Sequence, residues 1–168
     1  KRQVLILQGG PNDEYSGWRP FSFPKFQQCV LFFAEKLHGL KRQREDIHFP
    51  LLTNKLLWFA DVNHVKRHET SITGLRYARI QNGPVPNDYV ALCRQLHERR
   101  IVEYSNRQVL RPLARVDPTV LTVEELETLA RTWTQFKGKL DVIVDEAHKE
   151  KAWRETPHAR LISFKKVI

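Results

Sequence analysis

Apolar side chains recur along this chain with two periods, 3.6 and 2, and the switches between them outline a mainly helical fold. From Phe23 to His38, the residues Phe26, Val30, Phe33, Ala34 and Leu37 form the stripe of a helix with one face on a core. Ser22 stands at its N-cap, Pro24 falls in the first turn where a missing amide N–H does no harm, and Gly39 ends it. A second helix is predicted from about Leu51 to His68, with Leu52, Leu56, Phe59, Ala60 and Asn63 on one side. Leu57 and Trp58 widen that side, so this helix should be central and buried on more than one face. A third, about Asn87 to Arg99, carries Tyr89, Leu92, Cys93 and Leu96. Thr122 and Glu125 form a capping box, with Leu121 and Leu126 as its hydrophobic staple, for a fourth helix to about Lys137. Gly138 breaks it, and a last helix is expected from Lys139 to Glu150 on Leu140, Ile143, Val144 and Ala147.

Shorter segments alternate or break. Val4–Leu7 reads as a short buried strand, and Gln8–Pro20, rich in Gly, Pro, Asn and Asp, as a loop anchored by Tyr15 and Trp18. Lys41–His48 is a charged connection. Leu75–Ile80 alternates as a strand does, and Asn82-Gly83-Pro84-Val85-Pro86 reads as a rigid turn that is neither helix nor central strand. Ile101–Tyr104 and Gln108–Pro112 flank Ser105-Asn106-Arg107 as a hairpin, so that helix and hairpin together have a wing-like order. Trp153–Ile168 is expected to be an irregular tail. The fold class is therefore α+β, mainly α: a compact helical domain, residues 23–168, with a short strand and a wing-like hairpin, preceded by a strand-and-linker arm, residues 1–22.

Composition narrows the setting. The 168 residues suit one domain able to bury a core without metals or disulfides. No apolar run approaches the roughly 20 residues of a membrane helix, and no signal-peptide pattern is present, so a cytoplasmic protein without membrane contact is expected. Cys29 and Cys93, both in apolar-periodic stretches, fit buried reduced thiols. The net charge of +9 suits an acidic protein partner or DNA, but the cations look scattered along the sequence, and a solvated surface is the plainest account. The chain opens at Lys1 without methionine, which suggests a fragment or processed product, and a domain upstream of Lys1 is compatible with that.

The search for reactive groups finds little. There is no phosphate loop, no G-x-S-x-G and no HExxH. Asp61, His64 and His68 share a helical face and could in principle hold a metal, but Lys66 and Arg67 between the histidines oppose it. Asp61 on an apolar helix should serve a cap or salt bridge, and His148, near Glu146 and Glu150, a structural hydrogen bond rather than base catalysis. No catalytic residue, metal or cofactor is expected, and the chain is not read as an enzyme.

Several motifs resemble the Panacea domain of SocA-like antitoxins: Lys55-Leu56-Leu57-Trp58-Phe59-Ala60-Asp61, Ser71-Ile72-Thr73-Gly74, Tyr77-Ala78, Gly83-Pro84-Val85-Pro86, and Asp145-Glu146-Ala147-His148-Lys149-Glu150-Lys151-Ala152-Trp153. Trp58 stands for a commoner Tyr, and Asn82 for a commoner Tyr or Phe. The resemblance implies the antitoxin of a toxin–antitoxin system, which neutralises a cognate protein toxin by direct binding. A DNA-binding autoregulator using helix and wing is the alternative, with operator DNA reached mainly through an upstream module, and homodimerisation is compatible with both. The motif residues Lys55, Leu56, Leu57, Trp58, Phe59, Asp61, Thr73, Gly74, Tyr77, Gly83, Pro84, Val85, Pro86, His148, Glu150 and Trp153 are implied to be scaffold, with Trp58 and Phe59 filling the core, Gly83 and Pro84 fixing a turn that places the third helix, and His148 and Trp153 pinning the C-terminal helix to the body. Tyr15, Trp18, Arg107 and Arg111 are the candidate partner contacts.

Overall fold

A computed structural model describes residues 11–40, 49–81, 83–105 and 108–168. The predicted Val4–Leu7 strand, the Lys41–His48 connection and the Asn106-Arg107 turn lie outside them. In chain order the elements are α1 (Phe23–His38), α2 (Phe49–His68), β1 (Tyr77–Ile80), β2 (Gly83–Pro86), α3 (Tyr89–Glu98), β3 (Val102–Ser105), β4 (Gln108–Pro112), α4 (Val123–Phe136), α5 (Ile143–Lys149) and α6 (Lys151–Arg154). Helices dominate, and two small antiparallel hairpins complete the α+β arrangement.

Local signals set α1 and α4. The Ser22 side chain accepts the Lys25 N–H at 3.3 Å, and the Gly39 N–H returns to Glu35 O at 3.0 Å. At α4, Glu125 N donates to Thr122 Oγ1 at 3.1 Å while Thr122 N donates to Glu125 Oε1 at 2.9 Å, so the capping box is reciprocal. Central placement defines α2: every side chain from Leu52 to Val62 is buried. It packs against α1, β2, β4, α4, α5 and the 3-10 turn Phe164–Val167. Cys29 and Cys93 are free and buried. Among the described residues no helix is long and apolar enough to cross a membrane.

The expected rigid turn at Gly83-Pro84-Val85-Pro86 is in fact a strand. β2 pairs antiparallel with β1, with Ala78 opposite Val85, Arg79 opposite Pro84 and Ile80 opposite Gly83. Asn87 N donates to Arg76 O at 2.7 Å and continues the alternation. Residues 83, 85 and 87 thus face β1 with their bonding groups, while Pro84 and Pro86 fall between, where their nitrogens face outward and the missing donors cost nothing. Prolines excluded a central strand but not this edge strand.

The tail also departs from expectation. Its residues 159–162 cover the other flank of β1: Ala159 N donates to Arg79 O at 2.8 Å, Arg79 N to Arg160 O at 3.0 Å, and Ile162 N to Tyr77 O at 2.8 Å. Ala78 and Leu161 form the bridge pair, and Ile162 and Phe164 are fully buried. The predicted single helix Lys139–Glu150 is broken up. A 3-10 turn (Leu140–Val142) precedes α5, and Glu150 adopts an extended conformation, φ −69° and ψ 134°, between α5 and α6.

Candidate functional site

The motif residues converge on a polar core behind α2. Asp61 is fully buried. Its Oδ1 accepts Ile72 N at 2.8 Å and Thr73 N at 3.1 Å, and its Oδ2 accepts Thr73 Oγ1 at 2.6 Å and Tyr77 Oη at 2.7 Å. The sequence suggested a cap or a salt bridge; among the described residues no cation pairs with Asp61, and four neutral donors hold it instead. Burial raises its pKa, and the hydrogen bonds from Thr73, Tyr77 and Ile72 oppose that rise. The same knot fixes the following loop. Ser71 Oγ donates to Ser16 O at 2.9 Å and accepts Gly74 N at 3.1 Å. Gly74, at φ +72°, lies so close to the arm that a Cβ would stand 2.4 Å from Pro20 O.

Lys55 is the charged residue at the centre of α2, with no exposed surface. Its Nζ donates to Pro84 O at 2.6 Å, and a Cβ on Gly83 would meet Lys55 Cε at 2.8 Å. Burial holds its pKa down to about 7. Trp58, also without exposure, meets Tyr77 edge-on at 5.0 Å and Phe164 at 5.5 Å between ring centres. Its Nε1 donates to Glu150 Oε1 at 2.6 Å, and burial lifts the Glu150 carboxyl to about 7 against that bond. Leu56 and Leu57 are buried, Phe59 packs on Phe136 at 4.3 Å, Pro86 is buried and Val85 half-buried.

His148 makes no structural hydrogen bond of the kind expected. Its ring stacks on Trp153 at 4.1 Å and 20°, and its buried Nε2 has no hydrogen-bond partner among the described residues. Arg79 lies over the Trp153 ring at 4.2 Å. At the end of α2, His64 and His68 stack at 4.5 Å. Thr128 Oγ1 gives its hydrogen to Glu124 O, so it accepts from His64 Nδ1 at 2.8 Å, which leaves His64 Nε2 as an acceptor. Burial, then His68, lower the His64 pKa to about 4. With Asp61 committed to the Ile72–Tyr77 segment, Asp61, His64 and His68 do not converge, and no group of three or more His, Cys, Asp or Glu among the described residues could hold a metal ion.

A network that sequence reasoning missed ties Arg19 and the start of α1 to α4. Glu125, read only as a capping residue, also accepts Arg19 Nη1 at 2.9 Å and Lys25 Nζ at 2.8 Å. Burial would raise its carboxyl, but Lys25, the Thr122 N–H and Arg19 outweigh it and hold the pKa low. The basic residues Arg19 and Lys25 near a capping box carried no signal by spacing, since Glu125 lies a hundred residues away.

The candidate partner contacts are dispersed. Trp18, at φ 58°, packs on the core. Tyr15 is half-buried beside the tail. Arg111 is exposed and ion-paired with Glu103 across the β3–β4 hairpin, and Arg107 lies outside the described residues.

No curated protein and no solved structure matches the chain. A family model described as antitoxin SocA-like, Panacea domain, matches residues 53–154, more than half of the sequence and the whole span from Lys55 to Trp153 that builds the polar core, and the chain belongs to that family.

Proposed function

We propose that this domain is the non-enzymatic antitoxin of a toxin–antitoxin pair, and that it neutralises a cognate protein toxin by binding and occluding it. The observation that carries this reading is the inward use of the motif's chemistry. Asp61, Lys55 and Glu150, the groups a catalytic site would draw on, each bond to the fold: to the Ile72–Tyr77 segment, to Pro84 O and to Trp58. The motifs therefore account for a rigid scaffold, and partner choice belongs to the surface outside them. A stable complex of this kind buries about 1,600 Å². Residues 23–168 act as the binding unit with 1–22 as an arm, and the two buried, unpaired thiols suit a reducing cytoplasm.

The DNA reading draws less support. Beside α3, Arg111 is neutralised by Glu103, but Arg94, Arg99 and Arg100 are exposed with no ion pair among the described residues, so it is the antitoxin family match, rather than a lack of charge on the helix-and-hairpin face, that favours a protein partner. The test is co-expression with the protein encoded by the adjacent gene. Relief of growth arrest and co-elution of the two proteins are expected. Persistent arrest despite abundant folded domain, with no co-elution, would refute the proposal.

A further inference from the structure

The C-terminal stretch of the chain is rich in cations. Between positions 149 and 166 stand six Lys or Arg side chains against two carboxylates. One of those carboxylates, Glu150, is turned inward to Trp58. Within this region a groove of roughly 550 Å³ runs between the arm and the tail, bordered by Glu14, Tyr15, Pro157, Arg160, Leu161 and Lys166.

Three features of the groove point to its occupant. Its charge is basic: Arg160 has no carboxylate partner among the described residues, Lys166 reaches only the Glu155 carbonyl at 3.2 Å, and the single acid, Glu14, accepts a hydrogen bond from Ser163 Oγ. It holds an aromatic side chain of a type that anchors interfaces, Tyr15, whose hydroxyl has no protein partner among the described residues. It also borders an open strand edge. Arg160 O and Ile162 N bond to β1, so the intervening Leu161 turns its own N–H and C=O away from β1, where no described group takes them.

We propose that this groove is the docking surface for an extended, acidic segment of the protein partner, which adds main-chain bonds at Leu161 and sets its carboxylates against Arg160 and Lys166 with Tyr15 alongside. The inference rests on the antitoxin reading above. An extended segment fits because a strand edge is matched only by a strand, and an acidic one because the border carries unpaired positive charge. Duplex DNA fits less well: the groove has a carboxylate, Glu14, in its wall and presents a backbone edge that phosphates do not match.

The test uses the whole chain and the adjacent gene's product. Arg160→Glu with Lys166→Glu, and separately Tyr15→Ala, should weaken binding at least about tenfold and abolish growth rescue, with unchanged thermal melts. Affinity of the parent chain should fall with added NaCl. Arg160→Lys, which keeps the charge, should retain most binding. If the parent binds and the charge-reversed variant binds equally well, the groove assignment is overturned while the antitoxin reading survives. If the parent itself neither binds nor rescues, both fall. Two further outcomes also overturn the assignment: the variant loses affinity for a 20-base-pair duplex but not for the toxin, or it dissolves a dimer seen by sedimentation, which would put nucleic acid or a second copy in the groove.

Discussion

Trp58 Nε1 and Glu150 Oε1 lie 2.6 Å apart, and this bond joins two motifs separated by 92 positions in the chain. It sits where α2, the tail and the α5–α6 break meet. Glu150 leaves helical geometry at that point, and its carboxyl is carried onto the indole. The same bond sets the first of four testable consequences.

Glu150 titrates near 7 in the folded chain and near 4.5 when unfolded. Between those values the folded state binds the extra proton. Stability from this group is therefore full below about pH 4.5 and is lost as pH rises through 7. Glu150→Gln keeps an oxygen for Trp58 without the charge. The variant should match the parent at pH 4.5 and exceed it at pH 8 by on the order of 2 kcal/mol, read from urea unfolding at the two pH values.

Lys55 reverses the sign. Its folded pKa of about 7 lies below the unfolded value of 10.5, so the unfolded chain holds the extra proton between them. Parent stability should gain from this group as pH climbs from 7 to 10.5 and lose that gain as pH falls through 7. In Lys55→Met the contribution disappears, and the difference between parent and variant in chemical denaturation should change across that window and stay flat below it.

Asp61→Ala would strand two buried amide N–H groups and two hydroxyls. A loss of about 3 kcal/mol or more is expected, with a matching drop in Tm. Asp61→Asn keeps one acceptor oxygen and should fall between Ala and the parent. Equal stability of all three would show that the knot contributes nothing.

Gly74→Ala places a methyl 2.4 Å from Pro20 O at a backbone φ of +72°, and should cost more than about 1 kcal/mol. Gly138, where a Cβ would meet nothing within 4 Å, is the control: Gly138→Ala should stay within about 0.5 kcal/mol. Thermal melts of the pair separate a local clash from the general effect of replacing a glycine.

The elements legible in the sequence are those decided within a few residues. Ser22 and Gly39 bound α1, and Thr122 with Glu125 opens α4, because capping bonds span three or four positions. The breadth of the apolar face on α2 was readable as central burial. What escaped depends on distant partners. Nothing near Glu150 indicates that a tryptophan 92 residues earlier will pull it out of the helix. Nothing near Arg160 or Ile162 marks the tail as the cover of β1. Pro84 and Pro86 misdirect because a proline's effect depends on which side of the strand its nitrogen faces. Lys55 follows the polar pair Thr53-Asn54, so its own neighbours do not mark it as buried, and its acceptor, Pro84 O, lies 29 residues away. The excess of positive charge between positions 149 and 166 stands in the sequence, but that Arg160 and Lys166 border one groove with Tyr15 emerges only when the tail lies beside residues 14 and 15.

The two prolines of β2 give the small sheet a handedness of access. One flank lacks outward amide hydrogens and rejects a further strand. The other ends at Leu161, with a single free peptide edge. Main-chain pairing with this sheet is therefore confined to the Leu161 side, and the β2 side is closed to it.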